Sequence, residues 1–407
     1  MPEQQLPNEG FPVPQAPSET KMWQKPPRPI REKMTEDEID AKYSSKEERI
    51  VTETNREKLP NFVEALKRPG YMILRPMYQR RRRWDDERQS RLIESFIMNI
   101  PVPPLFLYET RYNSYEVMDG QQRITAVKAF YENELTLTGL ERWPELNRLT
   151  YKKLPPKIRA GIDRRSISYV VCLTESAEND EDAMLLKQLV FERLNTGGVR
   201  LSQQEIRNCL YQGKLNALLL EMSKSALFRS VWGMPPFSER ENTEPSDDLL
   251  ANTFYSRMQD LEVILRFFAL RHYENYQRGM QGFLDLYMVR SEKFTDYDMR
   301  FLKDSFEQTL LLAHQIYGDL LFLPYDRKRH EWEKRPQVAF SDAVMVALSG
   351  LLERRTELVE RKGSIVLKTK ELFENHPDGT FTGRGNTKQD VKNRILVFRA
   401  MLMDALK

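Results

Sequence analysis

Tyr115-Glu116-Val117-Met118-Asp119-Gly120-Gln121-Gln122-Arg123-Ile124-Thr125-Ala126 is the stretch on which the reading of this chain turns. It reads as a strand that stops at a glycine and passes straight into a helix. Such a turn exposes the backbone N–H groups of the first helical turn, and the helix dipole adds positive potential there. Both attract anions. Arg123 brings a planar fork of donors that fits phosphate bidentately. Asp119 brings a carboxylate that can hold Mg²⁺ directly or through water. Gln121 and Gln122 offer amide donors to phosphate oxygens or to a water. The turn therefore reads as a phosphate or nucleotide site. The competing reading is a strand–helix corner with Asp119 as a capping residue, and the spacing alone leaves both open.

The flanking sequence supplies a small mixed sheet. Leu105-Phe106-Leu107-Tyr108 predicts a strand, with Asn113 in the turn before the next strand at Ser114 to Met118. Leu92, Ile93, Phe96 and Ile97 recur at helical spacing between Arg88 and Asn99. Asp85 or Asp86 caps that helix, and Pro101, Pro103 and Pro104 end it. Tyr71 to Leu74 and Ser168 to Leu173 predict two further strands. Asn61 to Leu66, Ile124 to Tyr131 and Asp182 to Leu194 predict helices. Residues 59–200 thus form a mixed α and β domain.

Past residue 201 the strand signal fades. Ser202 and Glu205 form a capping box at the head of a helix predicted to run through Leu220. Met258, Leu261, Ile264, Leu265 and Phe268 mark an amphipathic helix, with Arg257/Asp260 and Glu262/Arg266 as surface ion pairs along it. Phe301 to Tyr317, Phe340 to Arg354 and Val391 to Leu406 continue the series, the last capped by Thr387 to Asp390. Residues 201–407 read as an all-α domain, so the fold class is α+β. The glycine-rich loop from Asp378 to Asn386 lacks the lysine and spacing of a P-loop and reads as a turn from which Arg384 can reach a ligand. At the other end, residues 1–58 read as a tail. Eight of the chain's 23 prolines lie in residues 1–30, so residues 1 to about 35 are expected to be disordered or extended on the surface. Residues 36–58 are strongly charged and suit a solvated helix or linker.

Composition narrows the class. The 407 residues are 40% hydrophobic and 30% charged, as in soluble globular proteins. No apolar run approaches membrane-spanning length, and no secretory signal is expected at the N-terminus. Cys172 and Cys209 fit no zinc or CxxC spacing, which suits a reducing cytoplasm. A net charge of +3 does not by itself argue for nucleic acid.

Several blocks occur in order: Tyr78-Gln79-Arg80, Trp84, Leu92-Ile93-Glu94-Ser95-Phe96, Ile100-Pro101-Val102-Pro103-Pro104, Asp119-Gly120-Gln121-Gln122-Arg123, Phe191 to Gly198 and Leu201 to Arg207. This series resembles the N-terminal domain of the GmrSD-type restriction endonucleases, a ParB-related family. The resemblance implies a ParB/sulfiredoxin-like fold that binds, and often hydrolyses, a nucleoside triphosphate with Mg²⁺, in prokaryotic defence against phage or foreign DNA. Several members carry a C-terminal HNH-type nuclease domain. Here His272, His314, His330 and His376 are scattered without Cys or His neighbours at ligand spacing. Any DNA cleavage is therefore expected from the first domain or from a partner nuclease.

Residue by residue, the resemblance makes Asp119, Gln121, Gln122 and Arg123 the candidate catalytic set. Gln79, Arg80, Gly120, Arg193 and Asn195 are candidates for holding the nucleotide, and Asp119, Glu192 and Asn195 for holding Mg²⁺. Glu192 to Asn195 also reads as a helix end entering the glycine turn Thr196-Gly197-Gly198. Trp84 reads as core or as a lid over the pocket. Arg80, Arg81, Arg82 and Arg83 lie in a stretch, residues 71–91, with seven arginines against three acids. That run is a candidate DNA contact, or simply a solvated face. The expected activity is nucleoside-triphosphate hydrolysis. The rivals are a DNA-nicking endonuclease at the same turn, and a nucleotide-gated switch without turnover.

Overall fold

A computed structural model describes residues 13–24, 35–44, 52–73, 84–173, 180–194, 202–211, 213–242, 245–377, 379–383 and 385–407. Two compact units emerge: Pro29–Leu201, and Ser202–Lys407 together with Met1–Arg28. In chain order the first elements are α1 (Pro17–Met22), α2 (Glu36–Ser44), β1 (Thr52–Lys58), α3 (Leu59–Leu66), β2 (Met72–Ile73), α4 (Asp86–Met98), β3 (Leu105–Arg111), β4 (Ser114–Asp119), α5 (Gln121–Tyr131), α6 (Pro156–Asp163), β5 (Ser166–Cys172) and α7 (Asp180–Leu194).

The Pro29–Leu201 unit is a five-stranded sheet in the order β1-β5-β3-β4-β2. β3 and β4 form an antiparallel hairpin turned by Asn113 at φ 57°. β5 runs parallel to β3, β2 parallel to β4, and β1 antiparallel to β5. Side chains alternate across a strand, and Leu105, Leu107, Val117, Ile167 and Val171 all enter one core. Phe62 and Val63 of α3, Leu92, Ile93 and Phe96 of α4, and Ile124, Val127 and Phe130 of α5 close over it. α4 begins where Asp85 accepts from the Arg88 N–H at 2.8 Å, and ends at Asn99 in the left-handed region. β1 corrects the sequence reading, which placed Thr52–Lys58 in the charged tail. Its side chains are mostly exposed, so its composition is polar, while backbone pairing with β5 holds it in the sheet.

The second unit is built from α8 (Gln203–Leu210), α9 (Lys214–Met222), α10 (Ala226–Val231), α11 (Asp247–Ala251), α12 (Thr253–Ser256) and α13 (Gln259–Leu270). It continues through α14 (Gly279–Arg290), α15 (Asp296–Tyr317), α16 (Val338–Ser349), α17 (Arg355–Glu360), α18 (Lys362–Asn375) and α19 (Lys388–Ala405). α16 is its axis: every residue after Val338 is buried, and α13, α15 and α19 pack against it. The capping boxes at Ser202/Glu205 and Thr387/Asp390 form as the sequence indicates.

Four expectations change here. The helix predicted through Leu220 breaks between α8 and α9, where Tyr211 and Gly213 take extended backbone. A short ladder, β6 (Tyr325–Asp326) with β7 (Glu331–Trp332), interrupts the expected all-α region. α13 is buried almost all round rather than amphipathic. Its Arg266 pairs with Asp342 of α16 rather than along the helix surface, and Arg257 reaches Glu205 at 3.7 Å. Arg384 lies outside the described residues.

The fourth correction is α1. Its prolines suggest a disordered or extended surface segment, yet Pro17 sits in the first turn of a helix, where the missing N–H costs nothing. Glu19 is fully buried in the helical unit. It meets Arg271, lies 3.0 Å from His272 Nε2, and accepts from the Tyr287 hydroxyl at 2.7 Å. Burial by itself would raise the Glu19 carboxyl pKa, but Arg271 and the hydrogen bonds of His272 and Tyr287 outweigh it and hold it at about 2. Trp23 stacks on Phe283 at 5.4 Å beside this cluster.

Removing one partner of a buried pair strands the other charge. Glu19→Ala should therefore lower stability by about 3–5 kcal/mol, read from chemical denaturation of the full chain. A folded-state pKa of about 2 lies below the ordinary 4.5, so the contribution is complete above the unfolded value and is lost as pH falls through the folded one. The wild type should lose it between those limits and Glu19→Gln should not. Parallel stability–pH curves for the two proteins would refute this role for Glu19.

Candidate functional site

β4 delivers the site. Along the β3–β4 ladder Leu107 pairs with Val117, but Phe106 pairs with Asp119. Met118 is thus an extra residue, and this bulge breaks strict alternation just before the acid, a device that re-aims a side chain. Gly120 follows at φ 98°, ψ 8° and serves as N-cap of α5. That conformation is open to glycine and strained for other residues. A Cβ at Gly120 would also stand 2.3 Å from Leu105 Cδ2 and 3.1 Å from an Arg123 terminal nitrogen. Backbone angle and crowding both require the glycine.

The competing reading, Asp119 as a cap, does not hold: no side chain caps α5. Instead Asp119 Oδ2 accepts from an Arg123 terminal nitrogen at 2.5 Å, four residues on and across the glycine. The other terminal nitrogen of Arg123 donates to the Pro103 carbonyl at 2.6 Å. The Arg123 side chain is 11% exposed and that of Asp119 30%, so the acid is the more open member of the pair. Gln121 is buried. Gln122 accepts from the Trp84 backbone N–H at 3.4 Å, linking the start of α5 to the residue before the α4 cap. Trp84 itself packs at the edge of the core, which favours the core reading over a lid.

Behind the turn, Glu116 of β4 forms a buried ion pair with Lys187 of α7. Lys187 also lies 5.0 Å from the centre of the Tyr108 ring. Burial, followed by the nearby Glu116 charge, raises the Tyr108 pKa. The sequence reading missed this pair. Its signal is a glutamate directly before the apolar Val117-Met118 in a central strand, since a buried carboxylate needs a cation. One turn further along α7, Glu192 accepts from Gln188 at 2.8 Å, while Arg193 is exposed. Gln79, Arg80, Arg81, Arg82, Arg83 and Asn195 lie outside the described residues. The structure thus joins Asp119, Gly120, Gln121, Gln122 and Arg123 in one corner, and ties α7, which carries Glu192, to the same strand through Lys187. Among the described residues no three His, Cys, Asp or Glu side chains gather into a metal-binding group.

Residues 60–212 match the family GmrSD restriction endonuclease, N-terminal domain. Over that segment the chain is similar to the GmrSD N-terminal domain family. The match covers β2 to β5 and runs through α8, so the whole glycine corner lies inside it. No curated protein and no solved structure matches the chain. Among the described residues no helix is long and apolar enough to cross a membrane.

The corner makes its own demand on stability. Gly120→Ala should destabilise the chain by about 1–3 kcal/mol through the left-handed backbone, with further loss from the clash with Leu105. Urea unfolding should show an earlier midpoint. An unchanged midpoint would mean that the corner relaxes freely and does not fix Arg123.

Proposed function

We propose that the GmrSD-type segment binds a Mg²⁺–nucleoside triphosphate at the Asp119–Arg123 corner and hydrolyses it, in a restriction or defence role. The observation that carries this reading is the Asp119–Arg123 pair, set across an uncapped helix N-terminus. Such a pair is neutral as a whole and partly open. A metal–triphosphate complex offers each member a better partner: Asp119 exchanges Arg123 for the cation, and Arg123 exchanges Asp119 for phosphate oxygens. Asp119 Oδ1 has no partner among the described residues, and a hard carboxylate oxygen suits Mg²⁺. When bound, the metal neutralises charge on the phosphate oxygens.

The remaining roles fall to this chain's own groups. The N–H groups of Gln121, Gln122 and Arg123 face the phosphates as an anion-binding helix start. Gln121 or Gln122 orients the attacking water in line with the scissile bond. Arg123 takes up the charge that develops in the transition state. Gln79 and Arg80 line the nucleotide, and Glu192, Arg193 and Asn195 form its second wall, on the strength of the family resemblance. Arg80, Arg81, Arg82 and Arg83 meet DNA phosphates, and cleavage of that DNA falls to a partner nuclease.

The test is phosphate release from ATP, GTP, CTP and UTP with Mg²⁺, with and without plasmid DNA. Asp119→Ala and Arg123→Ala should each lower the rate by about 10²–10³-fold, the scale of losing a transition-state contact. Wild-type release no faster than either variant overturns the hydrolase reading. Plasmid nicking that needs Asp119 but no nucleotide would then identify a nuclease, and tight nucleotide binding without turnover a switch.

A further inference from the structure

The helical unit holds an open cavity of about 1130 Å³, just above the roughly 300–1,000 Å³ usual for ligand sites. Its lining lies wholly within α10 to α19 and their loops, so it shares no residue with the glycine corner.

Three features of the lining point the same way. The first is charge. Arg266 is committed to Asp342 and Glu262 is engaged by Arg207. Lys334 and Arg335 are exposed and have no ion pair among the described residues, and Asp319 is the one further acid of the lining. They precede α16, whose N-cap Gln337 makes no side-chain cap and whose first residues, Val338 and Ala339, also line the cavity. Two cations beside an uncapped helix start suit a phosphate.

The second is the density of carboxamides. Asn252, Gln259, Gln281, Gln337 and Asn386 all line the space. Asn252 is committed to Gly233 and Tyr255, and the carbonyl oxygens of Gln281 and Asn386 accept from Arg207 and Arg394. Gln259 and Gln337 offer a donor and an acceptor side by side, the pattern that pairs with nucleobase edges.

The third is an aromatic wall with unmet hydrogen-bonding groups. Trp232 and Phe254 stack at 4.7 Å with planes 10° apart. Trp232 is 7% exposed, and its Nε1, like Nδ1 of His314, has no hydrogen-bond partner among the described residues. Both residues line the cavity. Buried polar atoms left in this state are uncommon and call for a partner.

We infer that this cavity is a second nucleotide site, taking phosphate at Lys334, Arg335 and the α16 start, and the base among the carboxamides and the Trp232–Phe254 wall. The nucleotide is either free or part of a nucleic-acid strand.

The experiment uses the full chain carrying Arg123→Ala, so that the glycine corner is disabled. Equilibrium dialysis is run with radiolabelled ATP, GTP, CTP and UTP, and separately with a labelled single-stranded DNA octamer. Binding should persist, and adding Lys334→Glu with Arg335→Glu should weaken it at least tenfold. Both residues are exposed, so these changes leave the core intact. Gln259→Ala should alter the preference among the four bases. Uptake of mononucleotides identifies a free nucleotide, and uptake of the octamer alone a strand. If the Arg123→Ala protein binds neither probe, or binds them regardless of Lys334 and Arg335, this inference falls and the corner reading stands. If wild type and Arg123→Ala bind equally and only the charge reversals matter, the corner reading fails and this one holds.

Discussion

Arg123 holds the corner together. From one position on α5 it reaches the carboxylate that ends β4 and the Pro103 carbonyl in the segment entering β3. Three stretches of backbone are thereby fixed around a single guanidinium. The reach is short, so it requires a chain reversal that only a left-handed residue without a Cβ supplies, and Gly120 is that residue. The bulge at Met118 sets the angle at which Asp119 arrives. Hinge, bulge and clamp depend on one another, and the side chains that clamp the corner are also those chemically suited to a phosphate.

Buried charge recurs in both units. Lys187 meets Glu116, Arg207 meets Asp285 at 2.6 Å, Arg229 makes two bonds to Glu241, Arg266 meets Asp342, and Arg271 meets Glu19. Such pairs add little net stability over apolar packing, because desolvation offsets the attraction. They do discriminate against wrong pairings, since a misplaced helix leaves a charge without its partner. In the helical unit, where apolar faces are plentiful and similar, this selects which helix meets which. α13 and α16 show it well: both are almost wholly buried, and the Arg266–Asp342 pair sets them in register.

Much of this was legible in the sequence because it is local. The helix at Asp86–Met98, the β3–β4 hairpin, the strand–glycine–helix corner and two capping boxes are each specified within a few residues. What was not legible depends on distant partners. The strand Thr52–Lys58 looks like a charged linker because its only strong interaction is through its backbone. Pro17–Met22 looks disordered because the residues that stabilise it lie some 250 positions away. Arg266 looks like a surface helix pair because its real partner, Asp342, is on another helix. At the candidate site the sequence shows the strand–glycine–helix corner but leaves its cap open, and the structure decides it: Gly120 takes the N-cap and frees Asp119 for Arg123.

The docking of α1 has a consequence for biosynthesis. Its acid is made early, yet its cation lies 252 residues later. At roughly 5–20 residues per second, ten seconds or more separate the two. The intervening α+β unit has been synthesised in full by then. Throughout that interval Glu19 is without the three partners that hold it in the finished structure, Arg271, His272 and Tyr287. A nascent chain stalled before α13 would therefore leave the segment around Glu19 unclaimed.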